Sequence, residues 1–208
     1  MSLEIEKRFK NFNYDEIIKI LKKNNFNRIS GNIFNISNYK GLQDKQSIRV
    51  RDEGNKITFT IKQRKTNDYD YDTENEVIID NYEIMNIMLL EQLKLKRINE
   101  TQKYREIYKS QDKKNEIIFD NHPALPPFME IESINENELL KTMKLLDLSE
   151  EPVFVPSDLY FENYGIPKNR KRIPLTFDNA KDVFSHLITK NKNTFDDILT
   201  YQHNNFFK

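Results

Sequence analysis

The sequence contains no cysteine, which excludes disulfide bonds and thiolate metal sites and fits a reducing compartment. It also carries no net charge, since 33 basic residues balance 33 acidic ones. A protein that simply coats nucleic acid would be strongly basic, so that class is disfavoured. No apolar run approaches the roughly 20 residues of a membrane helix, and the N-terminus lacks the apolar region of a secretory signal. We therefore expect a cytoplasmic protein with no membrane partner.

The composition supports a folded chain of ordinary size. The 208 residues are 37% hydrophobic and 12% aromatic, which is enough to bury a core. Neither an internal repeat nor a clear linker interrupts the sequence. We predict a single domain over residues 1–208, with a core at about 1–165 and a helical C-terminal extension at 166–208.

The N-terminal stretch Leu3–Phe9 alternates like a strand that is charged on one face. Glu4, Glu6 and Arg8 fall on one side because side chains of a strand alternate between its faces. A solvated surface strand would show this pattern, and so would a strand whose charges face each other and a ligand. One strand cannot decide between the two, so the rest of the chain has to be compared with it.

Further strands and helices follow from the periodicity of apolar residues. Strands are predicted at Ile29–Asn38, Ser47–Asp52, Lys56–Arg64, Glu74–Ile79, Lys96–Lys109, Glu116–Asp120 and Phe128–Glu132. Helices are predicted at about Asn13–Asn25, Tyr82–Lys94, Glu136–Leu148, Asp178–Lys190 and Phe195–Tyr201. The proline-rich stretch His122–Pro127 predicts a rigid connector between two of the strands.

Most of these strands repeat the design of the first one, with charges on one face and apolar residues on the other. The same-face charges are Glu4, Glu6 and Arg8; Arg49 and Arg51; Lys62 and Arg64; Glu74 and Glu76; Lys103 and Arg105; Glu116 and Asp120; Glu130 and Glu132. Like charges are sorted strand by strand, although like-charged neighbours repel and a solvated face has no need of such sorting. An ordinary antiparallel sheet with a solvated charged face remains the alternative.

Eight antiparallel strands can close into a barrel. We therefore predict an α+β fold: an eight-stranded antiparallel β-barrel, or tunnel, with a charged interior and with helices covering its outside. Buried charges of both signs are costly unless they pair or bind ions. Such a lining suits a ligand that needs both signs, with arginine and lysine on phosphate groups and divalent cations between the carboxylates and those phosphates.

The charged strands resemble the CYTH superfamily, also called triphosphate tunnel metalloenzymes. Glu4-Ile5-Glu6-Lys7-Arg8 resembles the family signature E-x-E-x-K, with Arg8 where lysine is usual. The likeness continues, in the family's order, through Ile48–Arg51, Thr58–Lys62, Glu74-x-Glu76, Lys103-x-Arg105, Ile118–Asp120 and Phe128–Glu132. Arg8 keeps the positive charge, but arginine does not replace a lysine that has a specific task, such as positioning a water.

The resemblance implies a tunnel that binds triphosphate and one or two Mg²⁺ or Mn²⁺ ions. Carried over, the metal ligands would be Glu4, Glu6, Glu130 and Glu132, together with Glu74, Glu76 and Asp120. The triphosphate would be held by Arg8, Arg49, Arg51, Lys62, Lys103 and Arg105, and the catalytic residues would be Glu4, Glu6 and Arg8. Carboxylate oxygens without a histidine or cysteine cluster independently favour Mg²⁺ or Mn²⁺ over Zn²⁺.

Three functions are compatible with the sequence. The first is a metal-dependent triphosphate hydrolase acting on tripolyphosphate, a nucleoside triphosphate, thiamine triphosphate or an RNA 5′-triphosphate end. The second is a class IV-type adenylate cyclase that converts ATP to cyclic AMP and pyrophosphate. The third is a non-catalytic phosphate-binding module, which would not need the full set of glutamates. The expected partners are a triphosphate-containing small molecule or an RNA 5′ end, with a possible homodimer.

Overall fold

The computed structural model describes residues 5–64, 72–150, 152–169 and 173–207. Within them the strands are β1 Ile5–Phe9, β2 Phe26–Lys40, β3 Gln46–Asp52, β4 Ile57–Arg64, β5 Asp72–Ile79, β6 Arg97–Ser110, β7 Asn115–Asn121 and β8 Phe128–Ser133. The helices are α1 Tyr14–Lys23, α2 Tyr82–Ile87, α3 Glu136–Leu145, α4 Pro156–Tyr164, α5 Ala180–Phe184 and α6 Lys192–Phe206. A π-helical segment, Met88–Gln92, continues α2. In this described part of the chain, no helix combines the length and the apolar composition that crossing a membrane requires.

The eight strands form one antiparallel sheet in the order β1-β8-β7-β6-β2-β3-β4-β5. The predicted set of eight antiparallel strands is thus confirmed. Over the described residues the sheet is open, with β1 and β5 as its edge strands. Strand β2 is longer at both ends than the Ile29–Asn38 that its apolar pattern predicts.

The chain packs as two compact units. The first unit comprises Met1–Asn32, Tyr104–Lys168 and Phe184–Lys208, and the second comprises Ile33–Lys103 and Asn169–Val183. Strands β2 and β6 are long enough to contribute one half to each unit. The single-domain organisation with an extension from residue 166 stays a prediction.

In the first unit, two helices cover the apolar face of β1, β7 and β8. Helix α1 starts at the Asn13 cap, whose side-chain oxygen accepts a hydrogen bond from the Glu16 amide at 3.3 Å. Ile17 and Leu21 lie four residues apart on one side of α1 and are buried. They share a core with Phe9, Phe119, Met129, Ile131 and with Leu139 and Met143 of α3. Burial of this apolar face fixes which way the charged face of the same strands points.

In the second unit, α2 and the π-helical segment cover the apolar face of β3 and β4. Tyr39, Ile48, Val50, Leu89 and Leu95 form the buried core. The predicted regular helix Tyr82–Lys94 is only partly correct, because α2 ends at Ile87. The Leu93 amide then donates to the Met88 carbonyl, five residues back, at 3.0 Å. This five-residue spacing is the wider turn of a π-helix. Leu89 within the π-helical segment and Leu95 just after it are both buried.

The C-terminal helices hold the connector between β7 and β8. The Gln202 side chain is buried and makes three bonds to this connector: its Nε2 donates to the His122 and Leu125 carbonyls at 3.0 and 3.1 Å, and its Oε1 accepts from the Ala124 amide at 2.7 Å. The Tyr160 hydroxyl donates to the Pro123 carbonyl at 2.7 Å. The proline-rich connector is therefore held in place by hydrogen bonds from α4 and α6.

The predicted ends of the last two helices are wrong. Helix α5 stops at Phe184, and the chain then turns so that the Thr189 amide donates to the Tyr164 carbonyl at 3.0 Å. Helix α6 extends over Lys192–Phe206, well beyond the predicted Phe195–Tyr201.

Candidate metal and phosphate site

Strand pairing in the first unit brings together charges that are far apart in the sequence. Glu6 on β1 lies opposite Glu132 on β8, and Arg8 lies opposite Glu130. On the other side of β8, Glu132 faces Glu116 of β7, and Asp120 of β7 is opposite Arg105 of β6. Because cross-strand neighbours have their Cβ atoms about 5 Å apart, the register alone concentrates five carboxylates and two arginines on one face.

Three of these carboxylates could hold a metal ion. Glu6, Glu130 and Glu132 each offer an oxygen, and the three oxygens lie within 4.8 Å of one another. An all-carboxylate set of this size suits a hard cation such as Mg²⁺ or Mn²⁺, and it offers nothing that would favour a soft metal. The donor chemistry therefore fits the metal that the family resemblance implies.

Two arginines compensate the same carboxylates. Arg105 donates to both oxygens of Asp120 at 2.6 Å and to Glu130 Oε2 at 2.7 Å. Arg8 donates through Nε to Glu130 Oε1 at 2.7 Å and through Nη2 to Glu6 Oε1 at 3.3 Å. Glu130, only 5% exposed, is thus held by one arginine on each oxygen. Asp120 is committed to Arg105, so its predicted role as a metal ligand stays a prediction.

The electrostatics of this face leave it short of positive charge. Burial raises the pKa of the Glu132 carboxyl; Arg105 opposes the rise, and Glu130 and Glu6 add to it, so the pKa reaches about 7. Burial alone would lower the pKa of the Arg8 guanidinium, but Glu130 and Glu6 outweigh it and the pKa is raised. An additional cation would relieve the crowding of carboxylates around Glu132. We call Glu6, Asp120, Glu130, Glu132, Arg8 and Arg105 the acidic cluster.

The second unit also carries a charged face, but on this face positive groups outnumber negative ones. Arg49 on β3 lies opposite Thr60 on β4, which lies opposite Glu76 on β5, and Lys62 lies opposite Glu74. The ion pairs join Arg49 to Glu74 at 3.0 Å, Lys62 to Glu74 at 2.6 Å, Arg51 to Glu76 at 3.3 Å, Arg51 to Glu53 at 2.7 Å and Lys56 to Glu53 at 3.6 Å. We call Arg49, Arg51, Lys56, Lys62, Glu53, Glu74 and Glu76 the basic cluster, because four cations meet three carboxylates.

In the basic cluster the pKa of Glu74 moves in the opposite direction to that of Glu132, and two donors are left without acceptors. Burial would raise the pKa of Glu74, but Lys62 and then Arg49 outweigh it, so the pKa is lowered. Two buried donors on this face, Arg51 Nε and Thr58 Oγ1, have no hydrogen-bond partner among the described residues. An anion such as a phosphate group would supply the acceptors that they lack.

Several residues predicted for the site lie elsewhere or cannot be placed. Glu4 lies outside the described residues. Lys103 is half-buried on β6, two residues before Arg105, and belongs to the second unit. Glu74 and Glu76 pair with cations of the basic cluster and are not part of the carboxylate triad that the described residues form. The ligand roles of these residues stay predictions.

Sequence reasoning missed Glu53, which is 7% exposed and pairs with Arg51 and Lys56. It lies between the predicted strands Ser47–Asp52 and Lys56–Arg64, in a turn where a carboxylate is commonplace. Its position two residues after Arg51 was the available signal, since residues i and i+2 of a strand share a face.

The comparisons with known proteins agree with this geometry. The CYTH domain family matches residues 4–152, and the chain belongs to this family. No curated protein matches the sequence.

Solved structures share the fold at low sequence identity. A conserved hypothetical protein from Pyrococcus furiosus has a TM-score of 0.61 at 20% identity, covering 75% of this chain and 99% of its own. A candidate adenylate cyclase from Vibrio parahaemolyticus has a TM-score of 0.62 at 15% identity, over 76% of this chain and 97% of its own. A candidate adenylyl cyclase from Hippeastrum, described as having a dominant triphosphatase activity, has a TM-score of 0.54 at 14% identity, over 82% and 100%.

Proposed function

We propose that the chain is a divalent-metal-dependent triphosphate hydrolase. The observation that carries the proposal is the carboxylate triad Glu6, Glu130 and Glu132, whose oxygens lie within 4.8 Å of one another beside two arginines. A module that only binds anions would not need three glutamates on the same face. Membership of the CYTH family supports the same reading.

In this proposal the acidic cluster binds the metal and the basic cluster binds phosphate. Glu6, Glu130 and Glu132 would hold Mg²⁺ or Mn²⁺, which when bound supplies charge neutralisation and a more acidic water. Arg49, Arg51 and Lys62 donate charge-assisted hydrogen bonds to phosphate oxygens. Phosphoryl transfer needs mainly positioning and compensation of charge, so fixed side chains on paired strands suit it.

An assay with several triphosphates tests the proposal and separates its alternatives. Purified protein with Mg²⁺ or Mn²⁺ is offered tripolyphosphate, ATP, thiamine triphosphate and triphosphorylated RNA, while orthophosphate, pyrophosphate and cyclic AMP are measured. We expect metal-dependent release of orthophosphate from at least one substrate. The dominant triphosphatase activity described for the Hippeastrum protein makes this the first outcome to look for.

Two other results would replace the proposal. Cyclic AMP with pyrophosphate from ATP would identify an adenylate cyclase. Binding of tripolyphosphate without turnover of any substrate, even with Mn²⁺, would identify a phosphate-binding module. The variant Glu132→Gln, assayed in parallel, checks that any turnover comes from this site and not from a contaminant.

A further inference from the structure

Arg8 lies between two of the three carboxylates that could hold a metal ion. Its Nε donates to Glu130 Oε1 at 2.7 Å, and its Nη2 donates to Glu6 Oε1 at 3.3 Å. A guanidinium is a rigid fork of donors, so one arginine bridges two carboxylates in a way that a single ammonium group does not. Arg8 therefore neutralises oxygens that a divalent cation would need as ligands.

The two arginines on Glu130 differ in how firmly they are held. Arg105 makes two bonds of 2.6 Å to Asp120 besides its bond to Glu130, and its side chain is only 11% exposed. Arg8 has one short bond, to Glu130; its contacts with Glu6 and with the Phe154 carbonyl are 3.3 and 3.5 Å. The Arg8 side chain is 30% exposed. Of the two, Arg8 can leave Glu130 at the lower cost, because water replaces its lost bonds more easily.

We propose that Arg8 is an exchangeable counter-ion of the carboxylate triad. It neutralises Glu6 and Glu130 in the metal-free protein and leaves them when a divalent cation binds. The freed guanidinium can then donate to a phosphate oxygen. The identity of the metal site rests on the proposed function, whereas the exchange itself concerns cation binding and can be measured without any substrate.

The exchange has a consequence for affinity. A cation that binds the triad has to displace a positive charge that is already there, so Arg8 lowers the affinity of the triad for metal. Removing that charge from a site a few ångströms away should tighten cation binding on the order of tenfold, given the strength of charge interactions near a protein surface. A guanidinium that stays in place would also repel the cation, so the gain in affinity supports the exchange only together with a direct sign that Arg8 leaves Glu130.

Calorimetric titration of metal-free protein with Mn²⁺ tests the inference. Arg8→Gln keeps a long side chain with an amide donor but removes the charge, and we expect it to bind Mn²⁺ about tenfold more tightly than the wild type. Arg8→Lys keeps the charge but loses the fork, and its affinity should lie between the two. Lys7→Gln is the matched control, since Lys7 is on the same strand and pairs with Glu150 away from the triad. We expect its Mn²⁺ affinity to stay within about twofold of wild type.

Side-chain NMR follows the exchange directly. During titration with Mg²⁺, the Nε–H signal of Arg8 should shift as its bond to Glu130 is lost, while the Nε–H signal of Arg105, bound to Asp120, should stay in place. This measurement uses the wild-type protein, so it remains decisive if Arg8→Gln does not fold.

The outcomes separate this inference from the proposed function. Mn²⁺ affinity that is unchanged or weaker in folded Arg8→Gln, or an Arg8 signal that does not move at saturating Mg²⁺, overturns the exchange, even if the protein hydrolyses triphosphate. A wild type that binds no divalent cation and hydrolyses nothing overturns both. Tighter binding by Arg8→Gln together with a shifted Arg8 signal supports the exchange, whichever triphosphate proves to be the substrate.

Discussion

The two units of the chain use the same strand design with opposite charge balance. In the acidic cluster four carboxylates face two arginines, and the pKa of Glu132 is raised to about 7, mainly by burial and further by neighbouring carboxylates. In the basic cluster four cations face three carboxylates, and the pKa of Glu74 is lowered because Lys62 and Arg49 outweigh its burial. The alternation of side chains along a strand therefore decides on which face of the sheet a charged residue lies. The pairing of the strands decides which other charged residues lie next to it.

This difference gives each unit its own ligand chemistry. Carboxylates bind divalent cations, whereas arginine and lysine bind the anionic oxygens of phosphate groups. The acidic cluster has fewer positive than negative groups, and the basic cluster has the donors Arg51 Nε and Thr58 Oγ1 without acceptors in the described part of the chain.

The largest effect is expected from neutralising the triad. Replacement of Glu6 or Glu132 by Gln should lower triphosphatase activity by more than about 100-fold, because direct metal ligands matter more than the outer partners that already cost 10–100-fold. Circular dichroism should show an unchanged fold, since both residues lie on the charged face and outside the apolar core. Loss of folding on either substitution would mean that these glutamates are structural.

In the basic cluster, Arg49→Ala or Lys62→Ala should raise KM for the triphosphate with little change in metal affinity. Loss of one charge-assisted hydrogen bond is worth about 1.5–3 kcal/mol, or roughly 10–100-fold in binding. Steady-state kinetics combined with a Mn²⁺ titration separates the two effects. If these variants lose metal instead, the contrast between the clusters is wrong.

The raised pKa of Glu132 predicts a pH dependence of metal binding. Below about pH 7 the carboxyl of the metal-free protein is protonated, so a proton has to leave before a cation binds. Mn²⁺ affinity, measured by titration at a series of pH values, should fall by about tenfold per pH unit as the pH drops below 7.

The same shift affects stability with a definite sign. The folded pKa, about 7, is above the ordinary value of 4.5, so between these values the folded state binds a proton that the unfolded state lacks. Glu132 therefore contributes stability below about pH 4.5 that is lost as the pH rises through 7. In chelator, denaturant unfolding should show this loss for wild type and a flatter profile for Glu132→Gln. An identical profile for the two proteins would contradict the assignment.

The smallest effect is expected at Thr58, which is fully buried. Thr58→Val removes a hydroxyl that has no partner within the described residues and keeps the branched shape. The free protein should become more stable by about 1 kcal/mol, because an unsatisfied buried polar group is costly. Triphosphate binding should weaken by about fivefold if the hydroxyl serves the ligand. Thermal unfolding and KM measure both, and a stabilised variant with unchanged KM would remove Thr58 from the site.

Much of this architecture could be predicted because alternation is a local signal. Arg49 and Arg51, or Glu130 and Glu132, share a face whatever the rest of the chain does, and the apolar residues between them identify the buried side. The number and direction of the strands follow from their spacing and turns. The family signature adds the order in which the charges occur.

Other features could not be predicted, because they depend on contacts between distant segments. The two arginines on Glu130 follow from the pairing of β1 with β8 and of β6 with β7. The π-helical segment after Ile87 lies where Leu89 and Leu95 are buried, which no local pattern encodes. Helix α5 ends at Phe184, and the Thr189 amide then donates to the Tyr164 carbonyl, a contact with a distant segment that no local pattern encodes.

A Mn²⁺ titration of three proteins tests the central claim most directly: the wild type, Glu132→Gln in the acidic cluster and Glu74→Gln in the basic cluster. At a pH above the pKa of Glu132, each substitution removes one negative charge from a glutamate on a charged strand face. If the acidic cluster is the metal site, Glu132→Gln should lose Mn²⁺ binding, whereas Glu74→Gln should bind Mn²⁺ within about twofold of the wild type. Equal loss in both variants, or loss in Glu74→Gln alone, would contradict it.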